Sequence, residues 1–449
     1  LLLGALTMVY PFLLMISGST KSDVDIRDLD VFPEFLSRDT VLYRKHIEGL
    51  FNESLSAMKE TYDSDEPSFG QLRPPRTINA ALVAEWLRFT GSAPLPSGSY
   101  TAGYMDAPVS KTIPRGQREF KRAVARKFHN DIREVNRALG TQFSSWNWFF
   151  DASAADRSLA LSADCLPRFI RPPDGAFARE FEGFKATQPA GNRYYLSAEG
   201  FFKGRFLKTQ YTRDIARYNE AHGTRHASYA DVHLPQRYIW KPSSDSKSDI
   251  SNLISGISNL KSDAPKPAAG KASQPPASEA RDWETFVRNT LNLLWIRVDD
   301  DAAPLYRDYL KAKYVDIQVL NRQHGTAYPG FEAIPLVQEP PRAGIILSDW
   351  EMFISGWKNP DTGQLFAAPV EALRVVGIEL LFRDHLKAKF GAIAAANAAL
   401  GTAFREFDHI QPPQKEAHYQ AFLRERRELR WEFATRNYCP VLAYMLFHG

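Results

Sequence analysis

The sequence is poor in cysteine and has almost no net charge. Its 449 residues include only two cysteines, Cys165 and Cys439, and the formal net charge is +4. Two cysteines exclude a disulfide-stapled scaffold and a four-cysteine zinc site. So small a charge, spread over this length, does not indicate the concentrated basic face that nucleic-acid binding needs. Hydrophobic residues at 44% and charged residues at 24% are ordinary for a globular protein and exclude wholesale disorder.

Common catalytic motifs are also missing. The sequence has no GxSxG, HExxH or GxxxxGK(S/T) pattern. His222, His226 and His233 are close together, but the first two straddle a helix stop instead of sharing one helical face, so we expect no metal site. The acidic run 299–301 lacks EF-hand spacing and fits a solvated helix N-terminus. No catalytic residue, cofactor or metal ligand is therefore predicted.

One long apolar run opens the sequence. LLLGALTMVYPFLLMIS is followed by no charge until Lys21, and its length approaches the roughly 20 residues of a membrane-spanning helix. Pro11 is tolerable inside such a helix. We predict a transmembrane helix over residues 1–20, with the rest of the chain outside the cytoplasm. A cleaved signal peptide and a buried core helix remain alternatives.

Four segments share one pattern, and we call them repeats A to D in chain order. Each has an aromatic residue, an isoleucine, an asparagine, a Gly-Thr pair and further ring residues. The predicted structural positions are Asn136 and Gly140, Asn219 and Gly223, Asn321 and Gly325, and Asn397 and Gly401. The spacing puts the aromatic residue, isoleucine and asparagine on one helical face. The glycine predicts a left-handed C-cap, and the asparagine amide can bond the loop that follows. A direct ligand role for these positions is the alternative.

A second motif, which we call the marker, precedes repeats B to D. It is Phe181-Glu-Gly-Phe184, Trp283-Glu-Thr-Phe286 and Trp350-Glu-Met-Phe353, with a partial copy at Trp431 and Phe433. Each unit is then a marker helix, a connection, a longer helix, the Gly-Thr stop and a short turn with aromatic rings. The predicted fold class is mainly α, with the transmembrane helix followed by an array of about four imperfect helical repeats.

A segment rich in Ser, Pro, Ala and Lys interrupts the array at residues 242–280, and we predict a flexible linker there. Two ISNL sequences inside it have the spacing of one short docking helix. The expected order is a membrane helix (1–20), a following extracytoplasmic segment (21–115), repeats A and B (116–241), the linker (242–280), repeats C and D (281–430) and a final segment (431–449).

Two short pieces carry a family resemblance. The first apolar run contains Pro11-Phe12 and ends near Ser19 and Lys21, followed by FPEFL and LYRKHIEGLF. The final segment, WEFATRNYCPVLAYMLFHG, places Asn437-Tyr438 ahead of an apolar stretch. In this order the two pieces resemble binding-protein-dependent carbohydrate ABC transporter permeases, the maltose-type inner-membrane subunits, with a large extracytoplasmic insertion between them.

The resemblance implies a permease subunit that imports carbohydrate across the inner membrane by alternating access, with residues 431–449 leading into a second membrane helix. Its implied partners are a second permease subunit, a separate ATPase subunit and an extracytoplasmic solute-binding protein; carbohydrate is a further possible ligand. No enzyme activity is expected on this chain. The alternative is a membrane-anchored or secreted helical-repeat protein that binds glycans or accompanies a glycoside hydrolase, because the repeat also resembles a helix–loop segment of some β-galactosidase-type enzymes.

Overall fold

A computed structural model describes residues 2–92, 95, 99–101, 115–149, 175–237, 278–341 and 344–434. In these ranges the protein is mainly helical, which confirms the predicted class. The N-terminal helices are α1 (Leu2–Ser19), α2 (Asp39–Leu50), α3 (Leu55–Tyr62), α4 (Ala80–Ser92), α5 (Arg115–Lys127), α6 (Ile132–Leu139) and α7 (Ala176–Thr187). The next helix, α8, begins at Ala198–Phe201 and continues through a π-helical stretch, Phe202–Leu207, to Lys208–Gln210.

The remaining helices lie on both sides of the predicted linker. They are α9 (Ile215–His222), α10 (Ser278–Thr285), α11 (Ala303–Tyr314), α12 (Ile317–His324), α13 (Gly344–Ser355), α14 (Ile378–Phe390), α15 (Ile393–Leu400) and α16 (Gln414–Glu432). The linker itself falls outside the described residues except for 278–280, which begin α10. A π-helical turn, Phe286–Thr290, extends α10.

The apolar run at the N-terminus forms α1, with Pro11 inside the helix. Across the described ranges, no helix combines the length and the apolar character that crossing a membrane requires. The transmembrane span over residues 1–20 therefore stays a prediction.

The strands are two or three residues long and serve to connect helices. They are β1 (Tyr100–Thr101), β2 (Tyr194–Tyr195), β3 (Ile296–Val298), β4 (Trp357–Lys358), β5 (Leu365–Phe366) and β6 (Leu373–Val375). All three pairings are antiparallel: β1 with β2, β3 with β6 and β4 with β5. The β3–β6 ladder pairs Ile296 with Val375 and so joins the connection before repeat C to the connection before repeat D.

Repeats A to D share one local architecture. A long helix (α5, α8, α11 or α14) is followed by a tight turn, an eight-residue short helix (α6, α9, α12 or α15) and a single 3-10 turn. The prediction of one helical face is therefore wrong for the aromatic residue, because Tyr314 ends the long helix and Ile317 begins the short one. In repeats A to C an aspartate caps the short helix, as Asp316 does by accepting a hydrogen bond from Gln318 N at 2.9 Å. In repeats C and D the tight turn is a γ-turn with positive φ, at Val315 (+62°) and Gly391 (+71°).

The structure contains a fifth copy of this architecture, in residues 39–72, which we call the degenerate repeat. Its long helix is α2 and its short helix is α3, whose N-cap Ser54 accepts a hydrogen bond from Ala57 N. Asp63 ends α3 in the left-handed conformation (φ +46°), and a 3-10 turn starts at Phe69. The spacing of these three residues equals that of the N-cap, the C-cap glycine and the 3-10 turn in repeats A to D. Lys59 stands where those repeats have asparagine.

Each repeat packs against a marker helix, and two of the five marker helices are exchanged. Repeats A, B and C contact the next marker helix in the chain, which is α7, α10 and α13 respectively. The degenerate repeat is followed by α4, yet α4 packs on α14 and α15 of repeat D. Conversely, α16 follows repeat D but packs on α2 and α3 of the degenerate repeat. This exchange connects the first copy of the architecture to the last one.

Buried rings identify the marker positions on the two exchanged helices. On α4, Trp86 packs on Phe382 of repeat D with ring centroids 5.1 Å apart. On α16, Tyr419 and Phe422 pack on Tyr43 of the degenerate repeat at 5.0 and 5.3 Å. The partial marker predicted at Trp431 and Phe433 differs from these helices, because its first ring, Trp431, is 72% exposed and is not buried against a repeat.

Three hydrophobic clusters form the core. The largest extends from Phe35 to Phe433 and includes residues of the degenerate repeat, repeat B and repeat C, so it draws on both sides of the linker. A second cluster joins α4 to repeat D through Trp86, Phe382 and Leu386. The third lies within repeat A and α7. The exchanged helices therefore contribute to cores that are distant from them in sequence.

Candidate functional site

In each of repeats A to D the asparagine closes the loop that follows the short helix. In repeat C, Asn321 Oδ1 accepts hydrogen bonds from Tyr328 N and Thr326 Oγ1, both at 2.9 Å, and Asn321 Nδ2 donates to Tyr328 O at 2.9 Å. The Asn321 carbonyl oxygen also accepts from Gly325 N and Thr326 N. We call this arrangement the asparagine clamp. Its bonds lie within one repeat, which gives the side chain a structural role.

The clamp recurs with nearly constant geometry. The three side-chain bonds made by Asn136, Asn219 and Asn397 are 2.7–3.0 Å long. The φ angles of the C-cap glycines are +68° at Gly140, +64° at Gly223, +67° at Gly325 and +62° at Gly401. A Cβ built on any of these glycines would meet no atom within 4 Å. The left-handed backbone, and not close packing, is what favours glycine there.

A polar side chain just before the first marker ring bonds each marker helix to its repeat. In repeat C, the fully buried Asp349 accepts a hydrogen bond from Tyr314 OH at 2.7 Å, lies 2.7 Å from His324 Nε2 and pairs with Lys313. Burial of this carboxylate is tolerated because several donors surround it. The corresponding pairs are Asp282 with His222 (3.1 Å), Glu85 with Lys389 (2.6 Å), Glu180 with Lys127 (2.7 Å) and His418 with Tyr62 (2.7 Å).

Repeat B brings a serine, a histidine and an aspartate together. Ser278 Oγ is hydrogen-bonded to His222 Nδ1, and His222 Nε2 lies 3.1 Å from Asp282 Oδ2. In serine hydrolases the carboxylate orients Nδ1 and the base acts through Nε2, so the two nitrogens have opposite partners here. The His222 side chain is fully buried, and repeat C has the same His–Asp contact with Ile345 in place of Ser278. The arrangement is a marker-helix contact and gives no support to a hydrolase.

A buried charge cluster joins the degenerate repeat, repeat B and repeat D. Glu199, at the start of α8, pairs with Arg383 Nη1 of α14 and with Lys203 Nζ, both at 3.0 Å. Lys203 Nζ also lies 2.8 Å from Asp63 Oδ2. Glu379 Oε1 accepts a hydrogen bond from Glu199 N at 2.6 Å. None of Glu199, Lys203, Glu379 and Arg383 is more than 2% exposed.

The two glutamates of this cluster bind protons very differently. Burial, together with the charge of Glu199, raises the pKa of Glu379 to about 7. Burial also acts to raise the pKa of Glu199, but Lys203 and Arg383 outweigh it and hold that pKa well below its usual range. Unequal carboxylates of this kind serve as acid and base in glycosidases. Here both side chains are inaccessible to a substrate, so the cluster connects repeats.

The remaining histidines and the acidic run 299–301 each contact different partners. His233 Nδ1 lies 3.1 Å from Glu199 Oε1, and His226 interacts with the Asn219 clamp through its backbone. Asp299 pairs with Arg237 at 2.7 Å, and residues 300–302 form a 3-10 turn before α11. Within the described ranges, no three His, Cys, Asp or Glu side chains converge in a way that would hold a metal ion. Cys165, Cys439 and the two ISNL sequences lie outside those ranges.

The segment after α1 meets the last described helix at a contact that we call the junction. The rings of Phe35 and Phe433 have centroids 6.4 Å apart. Arg430 Nε donates a hydrogen bond to Phe35 O at 3.2 Å. Asp39 pairs with Arg430 and, at 3.2 Å, with Arg426. The helix exchange produces this contact, because it is α16 that packs on α2.

The chain that connects α1 to the junction is also held by polar bonds. Ser17 Oγ donates to Asp30 O at 2.5 Å. Lys45 Nζ on α2 is fully buried and reaches Asp25 Oδ1 at 2.7 Å and Ser22 Oγ at 3.0 Å. Burial lowers the pKa of Lys45, and the neighbouring Asp25 carboxylate opposes that shift. The path from α1 into the repeats therefore lies beside the path from the repeats towards residues 435–449.

No protein-family model, no curated protein and no solved structure matches this chain.

Sequence reasoning missed the degenerate repeat, the exchanged helices and the buried charge cluster. A search for an acidic residue followed by Trp-x-x-Phe would have found Glu85-Trp86 and Phe89 on α4, since Asp282 and Asp349 precede the markers of α10 and α13 in the same way. The pairing of Glu199 with Arg383 has no local signal, because the two residues are far apart in the chain.

Proposed function

We propose that this chain is part of a permease subunit of a carbohydrate importer, with α1 in the inner membrane and the five repeats in an extracytoplasmic loop. Residues 435–449 would lead from the repeats into a second membrane helix. The junction is the observation that supports this proposal. The motifs around Pro11-Phe12 and Asn437-Tyr438 supply the family to which the proposal refers.

A large loop between two membrane helices is constrained by the distance between those helices. Neighbouring helices in a bundle have axes about 8–10 Å apart, so a domain inserted between them must leave and return at nearby points. The Arg430–Asp39 and Phe433–Phe35 contacts hold the two paths together at the base of the repeats. An elongated array open at both ends would separate these paths, and the exchange of α4 and α16 prevents that.

In this proposal the repeats do not handle ATP or perform chemistry. Alternating access would be a movement of membrane helices around a site near the middle of the bilayer, driven by a separate ATPase subunit. The second permease subunit and the solute-binding protein would be the further partners. Repeats A to D, each closed internally by its asparagine clamp, and the buried Glu199–Arg383 pair between repeats B and D would give a rigid surface outside the membrane, with carbohydrate as a possible ligand.

The proposal is tested by uptake of radiolabelled carbohydrates in cells that lack the gene. Deletion is expected to abolish uptake of one class of sugar, and the full-length gene on a plasmid should restore it. Variants Asp39→Arg and Arg430→Asp provide a matched set: each alone should reduce the restored uptake, and the double variant, which re-forms the pair with reversed charges, should recover part of it.

Unchanged uptake of every sugar in the panel would contradict the permease proposal. If the purified chain then bound or cleaved glycans, the alternative of a glycan-binding or hydrolase-associated repeat protein would replace it. Equal uptake by both single variants and by the wild type would show that the junction has no role in transport.

A further inference from the structure

We infer that Ile26, Leu29 and Phe32 form a lipid-contacting rim at the C-terminal end of α1, seated at the boundary between the headgroups and acyl chains of a bilayer. This inference rests on the proposed function, because it takes α1 to lie in a membrane. It adds a lipid-binding surface to that function, located in the segment that connects α1 to the repeats.

The rim is defined by unusually exposed apolar side chains. Ile26 is 61% exposed, Leu29 80% and Phe32 82%. They recur at every third residue within one short segment. Elsewhere between residues 37 and 430, the large exposed apolar side chains of the described chain are widely spaced in sequence, as Leu365 is. Single exposed residues of that kind are ordinary, whereas several large apolar side chains exposed close together in one short segment indicate an interaction surface.

Hydrogen bonds hold the rim against the last turn of α1. Ser17 Oγ and Lys21 Nζ donate to Asp30 O at 2.5 and 3.1 Å, and Lys21 Nζ also donates to Asp28 O. Leu29 lies between these two acceptors, so its position is fixed beside the end of the helix. Any bilayer that surrounds α1 therefore approaches Leu29.

The neighbouring surface has the composition of a membrane interface. Tyr10, Phe12 and Met15 on α1 are 49–71% exposed, so the helix that precedes the rim in the chain also exposes apolar side chains. Trp431, which follows the junction residue Arg430 on α16, is 72% exposed, and tryptophan favours the headgroup level. Several turns in the segment are closed by backbone hydrogen bonds, such as the one from Ile26 N to Ser22 O at 2.8 Å. Backbone groups that are already hydrogen-bonded lose less free energy when lipid replaces water around them.

The charges nearby favour a contact with neutral lipid. Three exposed acidic residues, Asp23, Asp28 and Asp30, alternate with the rim residues in sequence and outnumber the one exposed arginine of the segment, Arg27, so the segment would repel anionic headgroups. We therefore expect the attraction to be apolar and insensitive to salt.

The inference is tested by spin labelling of the full chain in phosphatidylcholine vesicles. A nitroxide is attached at Leu29→Cys in a Cys165→Ser, Cys439→Ser background, and its collision rates with oxygen, which concentrates in lipid, and with a water-soluble nickel complex are measured. Phe12→Cys reports on α1. Leu365→Cys is the matched control, because Leu365 is also exposed (66%) but lies on the β4–β5 hairpin.

The expected result is an oxygen-to-nickel ratio several-fold higher at residue 29 than at residue 365, and unchanged in high salt. A high ratio at residue 12 with a low ratio at residue 29 would overturn the inference and leave the membrane location of α1 intact. Low collision rates with both reagents at residue 29 would indicate a protein contact and would also overturn it. A low ratio at residue 12 itself would overturn the proposed function as well.

Discussion

Replacement of Asn321 by alanine tests the asparagine clamp of repeat C. The substitution removes two hydrogen bonds accepted by Oδ1, from Tyr328 N and Thr326 Oγ1, and one donated by Nδ2 to Tyr328 O. It leaves α12 and the left-handed Gly325 unchanged, so the effect should be confined to the loop that follows the helix.

The magnitude follows from the number of bonds. A hydrogen bond contributes a net ~1 kcal/mol to the free energy of unfolding, so three bonds amount to about 3 kcal/mol. Alanine has a higher helix propensity than asparagine, by about 0.6 kcal/mol, which offsets part of the loss. The expected net decrease in the free energy of unfolding is about 2 kcal/mol. Asn321→Asp keeps the two acceptor bonds but sets a carboxylate oxygen against the Tyr328 carbonyl oxygen, which repels it, so we expect this variant to be less stable than the wild type as well.

The assay is urea unfolding of the full chain in mild detergent, followed by tryptophan fluorescence, with the midpoint compared at constant slope. Arg322→Ala is the matched control, because Arg322 is the exposed neighbour on the same helix, and surface substitutions usually change stability by less than about 0.5 kcal/mol. The reasoning is refuted if Asn321→Ala costs no more than Arg322→Ala. It is also refuted if Asn321→Asp is as stable as the wild type.

Three further predictions concern packing, backbone strain and pH. A Cβ at Gly200 would collide with the backbone oxygen of Glu60, so Gly200→Ala should lower the free energy of unfolding by about 3 kcal/mol. The control Gly204→Ala, one turn later, should change that free energy little. Thermal unfolding of the two variants measures the difference. Val315 is 81% exposed with φ +62°, so Val315→Gly should raise the urea midpoint by the equivalent of about 1 kcal/mol, and an unchanged or lower midpoint would contradict this. Because burial raises the pKa of Glu379 to about 7 from an ordinary 4.5, this group favours the folded state less as pH rises from 4.5 to 7, by up to about 3 kcal/mol. Glu379→Gln should reduce the loss of stability between pH 5 and 8, and an identical pH profile in urea unfolding would argue against the assignment.

The parts of the fold that could be predicted from sequence depend on local chemistry. Gly325 and the other repeat glycines follow helical patterns and end helices, because a left-handed C-cap has a strong residue preference. The asparagine four residues before each glycine could be assigned a bond to the following loop, because a short amide side chain readily bonds nearby backbone groups. Asp63 fills the left-handed position without a glycine, and Lys59 replaces the asparagine, so the degenerate repeat keeps the backbone architecture without its sequence signature.

Long-range features could not be derived in this way. The exchange of α4 and α16 depends on which buried surfaces fit, such as Trp86 against Phe382. The apolar pattern of a helix shows that it packs on a repeat, but it does not show which repeat. Glu199 and Arg383 likewise carry no pattern that relates them. Buried ion pairs are retained only when their partners are in place, and the partners here come from different repeats.

The central claim is that the repeats occupy an extracytoplasmic loop of a membrane subunit. It is tested most directly by labelling intact cells with a membrane-impermeant maleimide. The protein carries Ala398→Cys, an exposed position on α15, in the Cys165→Ser, Cys439→Ser background. The account predicts that this cysteine is labelled in intact cells and that the labelled protein is found in the membrane fraction. Labelling only after the inner membrane is permeabilised would contradict the account.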